Sequence, residues 1–354
     1  MSRIIYYIGA GASYGRMEAR EVLDEGTENE RLVVREGLPV VNEIAKSLLT
    51  FKEAVENAPI ENENMYLFMN KYKNQGSKIN HTRIGLLRDI DILCKAAKEH
   101  ATVDTYAKKL FLTKQHNEFE RLKNVLSLFF VWAQMEGKAD QRYDTFLANV
   151  LQTNNLYFPK EISVISWNYD SQFEIAYRYY SSNGTLPIYE KNIVGDFPPL
   201  KDYGRIFKVN GSANIGDFNL VNFIIKDVKV KPIIQLIEYY GHLNADTSEM
   251  GFQFCSHLSF AWETSDKQKQ LMEAIKQTTM DTESIVVIGY SFPYFNREID
   301  RAIFASMPNL KTVYIQDPHP DAVEPSLRAV LPEETKVKIE HQKDCTQFYL
   351  PKEL

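Results

Sequence analysis

The chain is poor in cysteine. Its 354 residues include three, Cys94, Cys255 and Cys345, none close to another in sequence. Thiols so scattered do not make a disulfide framework, and three cannot fill a four-cysteine zinc site. The expected compartment is the reducing cytoplasm. Also missing is any stretch near the ~20 apolar residues of a membrane span. Arg3 followed by a short apolar run does not make a secretory signal. No internal repeat or low-complexity tract is visible. Positive charge is not in excess: 41 Lys and Arg against 47 Asp and Glu give a net charge of −6 and a pI near 5.8. That balance argues against a general binder of nucleic-acid backbones, though it leaves room for a local basic patch. What is present is globular: 44% hydrophobic and 25% charged residues, in a length that suits one large domain or two ordinary ones.

The first informative stretch is Ile4-Ile5-Tyr6-Tyr7-Ile8, followed at once by Gly9-Ala10-Gly11-Ala12-Ser13. A short β-branched and aromatic run predicts a strand buried on both faces of a parallel sheet. The small residues after it are either an ordinary strand-to-helix turn or a loop that lets a phosphate rest on peptide N–H groups. The spacing Gly9, Gly11, Gly15 is not the standard G-x-G-x-x-G. Arg16 to Glu36 is charge-dense and reads as an exposed excursion, either a plain solvated insertion or a flap over the loop. Helical periodicity resumes with Ile44, Leu48 and Phe51, with Asn42 as cap or ligand contact. It continues to about residue 157, clearest at Phe119, Leu122, Leu126, Phe129, Phe130 and Ala133. Asp104 or Thr105 is expected to cap one of these helices.

Strands return at 162–166, ending in Trp167-Asn168-Tyr169-Asp170. Asp170 either caps the helix that follows or faces a ligand, and Asn168 is expected to face a ligand. Arg205 to Val209 ends in Asn210-Gly211-Ser212, which also spells a hairpin turn. Ser284 to Ile288 ends in Gly289-Tyr290-Ser291, with Pro293 opening a helix that buries Phe295, Ile299, Ala302 and Ile303. Lys311 to Gln316 ends at Asp317, which either accepts from ribose hydroxyls or caps a turn. No confident assignment follows for 218–262, where His242 and His257 lie. Five strands that each finish in small or polar residues are what a doubly wound sheet needs to line one nucleotide crevice.

The ordered set Gly-Ala-Gly-Ala-Ser, Trp-Asn-Tyr-Asp, x-Gly-Ser, Gly-Tyr-Ser and a final acid-ended strand resembles the sirtuin-like superfamily. It is more similar to the bacterial sirtuin-like NAD-consuming domains of defence systems such as Thoeris than to the protein deacetylases. The resemblance implies an α/β, doubly wound, Rossmann-like parallel sheet with an inserted helical subdomain. Residues 1–52 and 158–354 would form the NAD-binding domain and 53–157 the insert. It implies NAD as substrate or ligand and no zinc, because the paired cysteines of the deacetylases are missing. Gly9, Ala10, Gly11, Ala12 and Ser13 would hold the pyrophosphate, and Asn168 and Asp170 would face the nicotinamide ribose and the water. Gly289 and Ser291 would contact phosphate and ribose, with Asp317 near the adenosine ribose. Relatives usually carry a histidine base where this chain has Asn210; an amide still binds a ribose hydroxyl but takes no proton. His242 or His257 is the candidate substitute. The implied activity is NAD glycohydrolase in antiviral defence, with a protein partner or a homo-oligomer as regulator. The alternatives are an NAD or ADP-ribose sensor and a protein ADP-ribosyl or acyl transferase.

Overall fold

The computed structural model describes residues 3–15, 17–21, 31–35, 37–40, 43–60, 79–100, 102–135, 139–153, 156–177, 179–180, 188–190, 203–215, 232–244, 256–263, 265–333 and 336–354. In chain order, strand β1 spans Ile4–Ile8, followed by one 3-10 turn over Ala10–Ser13. Strands β2 (Met17–Glu21) and β3 (Arg31–Arg35) form an antiparallel ribbon, so the charge-dense excursion carries strand structure that its composition hid. Helices α1 (Ile44–Glu56), α2 (Ile79–Glu99), α3 (Val103–Leu112), α4 (His116–Met135) and α5 (Gln141–Val150) follow. Next come β4 (Ile162–Ser166), α6 (Gln172–Tyr177), β5 (Ile188–Glu190), β6 (Ile206–Lys208) and β7 (Gly211–Ile215). The chain continues through α7 (Pro232–Leu243), β8 (Ser256–Leu258), α8 (Asp266–Thr279), β9 (Ser284–Ile288) and α9 (Arg297–Phe304). It ends with β10 (Thr312–Gln316), α10 (Pro320–Arg328) and β11 (Lys338–Gln342).

Seven of these strands form one sheet in the order β11-β10-β9-β1-β4-β6-β5, and every pairing in it is parallel. The expected α/β, Rossmann-like architecture is therefore present. From β1 the chain first builds outward through β4, β5 and β6, then crosses back to β9, β10 and β11 on the other flank. The reversal falls between β1 and β9. At such a switch point the connections leave the sheet in opposite directions and open a crevice beyond the carboxyl ends of the strands.

Period-two alternation sorts the central strands onto two faces. Tyr6, Ile8, Val164 and Val286 pack with Phe146, Leu147 and Phe173 from α5 and α6. Ile5, Tyr7, Ile165, Val287 and Ile315 pack with Ile275, Ile303 and Leu327 from α8, α9 and α10. A third core holds the roof: Leu48, Phe51, Ile90, Leu126, Phe129 and Ile237 from α1, α2, α4 and α7, with Ala213 and Leu258 from β7 and β8. The roof thus does not stop at the 53–157 boundary. α1 and α7 belong to it because their apolar stripes meet α2 and α4, whereas α5 leaves it to cover the sheet. β7 and β8 form a separate antiparallel pair beneath α4.

Three local expectations change. Pro293 precedes a 3-10 turn over Tyr294–Asn296 rather than opening α9 directly. Phe295 is exposed, as is Ala302, because α9 turns Asp300, Ile303 and Phe304 inward, with Ile299 partly buried beside them. The cap of α3 is Thr102, whose hydroxyl accepts from the Thr105 N–H at 3.1 Å, not Asp104 or Thr105. Asn42 lies outside the described residues, as does Cys255, while Cys94 and Cys345 are free.

Candidate functional site

The Gly9–Ser13 loop and the turn after β9 meet backbone to backbone at the switch point. The Gly11 N–H donates to the Gly289 carbonyl at 3.0 Å, and Gly289 holds φ of +58°. A side chain on Gly9 would strike Gly289 and Tyr290, so glycine is needed here for close approach. This packing changes what the loop offers a ligand. The N–H groups of Gly9, Gly11, Ala12 and Tyr14 are directed onto the Ile288, Gly289, Gly9 and Gly11 carbonyls. Ala12 is buried, and its carbonyl accepts from the Arg142 guanidinium at 2.8 Å. Ala10, Gly11 and Ser13 remain on the surface of a cavity of about 330 Å³, while Gly9 and Ala12 support it from behind.

The ends of five strands open into that cavity. Ala10, Gly11 and Ser13 follow β1; Trp167, Asn168, Tyr169 and Asp170 follow β4; Asn210 follows β6; Gly289, Tyr290 and Ser291 follow β9; Asp317 follows β10. Nine of the eleven residues singled out from the sequence therefore share one hollow, of a size that suits a small-molecule site. The opposite wall comes from elsewhere. Leu38, Pro39, Val40 and Ile44 arrive from the ribbon's exit and from α1, while Asp104 and Phe130 project from α3 and α4. Leu38 is held there because its N–H donates to the Ser13 carbonyl at 2.8 Å, closing the excursion onto its own start.

The floor is a polar network. The Ser13 hydroxyl contacts the Tyr143 hydroxyl at 2.8 Å and accepts from Asn168 Nδ2 at 3.2 Å. No hydrogen bond among the described residues uses Asn168 Oδ1, so it is a free acceptor in the cavity wall. Asp170 has both roles considered for it: Oδ1 accepts from the Gln172 N–H at 3.1 Å, capping α6, and the residue lines the cavity. Burial pushes its pKa up, against the nearby Lys208 ammonium and the Ser13 hydroxyl, which pull it down. Beneath it, Lys208 is buried and donates to Glu174 Oε1 at 2.5 Å and to the Asp170 carbonyl at 2.6 Å. Asp317 likewise divides its work: Oδ1 accepts from the His319 N–H at 2.8 Å, and the residue faces the cavity. Ser291 sits exposed on the rim.

Asn210 is committed at both ends. Nδ2 donates to the Trp167 carbonyl at 3.0 Å and Oδ1 accepts from the Ala261 N–H at 2.9 Å. It stitches the end of β4 to the segment after β8, which leaves its second amide hydrogen and the second lone pair of Oδ1 for a ligand. Neither His242, on α7, nor His257, on β8, lines the cavity. The titratable group that sequence reading overlooked is Asp104. It lines the roof side, its Oδ1 accepts from the Tyr169 hydroxyl at 3.3 Å, and burial lifts its pKa to about 6. The overlooked aromatic element is the Trp167–Tyr290 pair, stacked at 5.2 Å and 12° on the sheet side.

Electrostatically the site is one-sided. Asp104, Asp170 and Asp317 line it, and no Lys, Arg or His does so among the described residues. Among those residues, no group of three or more His, Cys, Asp or Glu is arranged to hold a metal ion, and no helix is long and apolar enough to cross a membrane. No protein-family model matches the chain, and no curated protein matches it.

Proposed function

We propose that the cavity binds NAD and hydrolyses it to ADP-ribose and nicotinamide. The observation that carries this reading is the meeting of five strand ends at the β1/β9 switch point in a hollow lined by carboxyl groups. Switch-point crevices are where α/β sheets take nucleotides. Carboxyl groups in the cavity lining, with no cation in that lining among the described residues, suit the pyridinium end of the dinucleotide and the positive charge that develops on the ribose as the glycosidic bond breaks. It does not suit a bare pyrophosphate, so the phosphates belong at the Ala10 and Ser291 side of the rim, away from Asp104 and Asp170.

In this reaction the bond from the ribose anomeric carbon to the pyridinium nitrogen breaks. Its electron pair returns to the ring, which becomes neutral and needs no proton to leave. Water forms the new bond to carbon and gives up one proton. Asn168 Oδ1 accepts a hydrogen bond from that water, held in place by the Ser13 contact at Nδ2. Asp170 faces the developing cation from a position fixed by its cap to α6. Asn210 offers its remaining amide hydrogen to a ribose hydroxyl. The biological setting we attach to this activity is antiviral defence, on the motif order alone.

One observation favours a second reading. The Asn210 amide takes no proton at neutral pH, so the chain has no base at that position. A protein that senses NAD or ADP-ribose without turnover would tolerate this. The two readings separate when pure full-length protein is incubated with NAD, with nicotinamide followed by chromatography and binding by calorimetry. Release supports the hydrolase, and saturable binding without release supports the sensor. Release only when a protein acceptor is added points to a transferase. Neither binding nor release removes all three.

A further inference from the structure

The hydrolysis proposed above leaves one proton unassigned. Asn210 cannot take it, and His242 and His257 are elsewhere. We infer that the helical roof supplies the acceptor: the Asp104 carboxylate removes the proton of the attacking water, held in position by the Tyr169 hydroxyl. The inference rests on the hydrolase reading and adds to it a catalytic residue from outside the sheet.

Asp104 is in the first turn of α3, where an acid is usually explained as a cap or as a partner of the helix dipole. Capping is already done by Thr102. The carboxylate instead turns to the cavity, and among the described residues the Tyr169 hydroxyl is its only hydrogen-bond or ion-pair partner. A half-buried acid in the cavity wall, with a single neutral donor and no cation among its partners, keeps acceptor capacity that a ligand can use. Asp170, the other inner carboxylate, is occupied by the Gln172 N–H and by Ser13. Among the described residues, Tyr169 is in contact with Asp104, Glu263 lies beyond Tyr169 and is paired with Lys123 at 3.5 Å, and Asp170 and Asp317 line the same cavity.

The step balances. The water oxygen bonds to the anomeric carbon as the bond to the ring nitrogen breaks, the pair goes to the ring, and the water's proton goes to Asp104 and then to solvent. With burial holding its pKa at about 6, Asp104 is largely ionised at pH 7 and still basic enough to help. Tyr169 tunes this: its hydroxyl donates to the carboxylate and so pulls the pKa down.

The test is the pH profile of nicotinamide release between pH 5 and 8, with NAD affinity measured alongside. Wild type should lose kcat/KM about tenfold per pH unit below about 6. Asp104→Asn keeps an acceptor for Tyr169; it should still bind NAD, lose ~10²–10⁴ in kcat, and lack the acidic limb. Asp170→Asn, which preserves a cap, should slow turnover but keep the limb. Tyr169→Phe should move the limb to higher pH. Should Asp104→Asn fail to fold, the Tyr169→Phe shift decides, and an unmoved limb overturns the assignment. A limb retained in Asp104→Asn, or lost in Asp170→Asn, overturns it while leaving the hydrolase reading intact. A wild type that binds NAD without releasing nicotinamide overturns the hydrolase reading instead, and the assignment with it.

Discussion

Gly11 and Gly289 touch through their backbones: the Gly11 N–H meets the Gly289 carbonyl at 3.0 Å, and a Cβ built on Gly289 would lie 2.4 Å from the Gly11 carbonyl carbon. At φ of +58° a side chain is also strained in its own right. Gly289→Ala is therefore expected to push the two loops apart, lowering stability by about 2–4 kcal/mol and abolishing ligand binding at the switch point. Gly85→Ala is the control. Its Cβ would come no nearer than 3.4 Å, to a Tyr240 ring carbon, in the interior of α2. There alanine should be neutral or stabilise by about 0.5–1 kcal/mol. Urea denaturation of the two variants measures the contrast.

Asn210 bridges the Trp167 carbonyl and the Ala261 N–H inside the fold. Asn210→Ala leaves both backbone groups buried and unpaired, with an expected cost of about 2–4 kcal/mol. Ser291→Ala, at the exposed rim, should cost less than about 0.5 kcal/mol. Asn210→His is the informative variant: if the position once held a base, turnover rises even as melting temperature falls. Melting curves and nicotinamide release on the same preparations report the two effects separately, and equal melting temperatures for the Ala variants would contradict the bridge.

Lys208 and Glu174 form an ion pair with side chains 2% and 13% exposed. Removing one partner of such a pair strands the other charge. Lys208→Met is expected to lower stability by about 3–5 kcal/mol, and Lys208→Met with Glu174→Leu to recover most of it. Chemical denaturation of the single and double variants gives the coupling directly. No recovery would mean that Lys208 acts chiefly through its bond to the Asp170 carbonyl.

Asp300 is fully buried beneath the aromatic pair and accepts hydrogen bonds from Tyr7 and Tyr290. Burial raises its pKa to about 7, against the hydroxyl donors that pull it down. A carboxyl raised in the folded state binds its proton there at pH values where the unfolded chain, titrating near 4, has lost it. Its contribution to stability is thus complete below about pH 4 and disappears as pH rises to about 7, a change on the order of a few kcal/mol. Asp300→Asn does not titrate. Its melting temperature relative to wild type should climb between pH 5 and 8; a constant difference would refute the shift.

The sheet was legible because strands buried on both faces leave runs such as Ile4–Ile8 and Ser284–Ile288, and the crevice because each run stops at residues with little apolar surface. Asn168 and Asp170 were legible for the same reason. The loop's role was misjudged in part: a glycine pair suggests free amides, yet here the amides are consumed in holding two loops together. Asp104 was hidden by its position, since an acid in a helix's first turn has an ordinary local explanation and only tertiary packing turns it toward the cavity. The β2–β3 ribbon was hidden by Met17-Glu18-Ala19-Arg20-Glu21, which carries too little apolar alternation to announce a strand. The exposure of Phe295 was not legible either, because helical spacing says which residues share a stripe and not where the stripe ends.

β1 lies in the middle of the sheet, yet Ile4 pairs with Ile162 on one side and with Ser284 on the other. Both partners are far from β1 in sequence. During translation β1 must therefore wait with bare hydrogen-bonding edges until β4 and then β9 emerge, a state that invites pairing with other nascent chains and rewards chaperone cover. A polypeptide that stops before β9 carries half a crevice, so the site is completed only once synthesis has passed that strand.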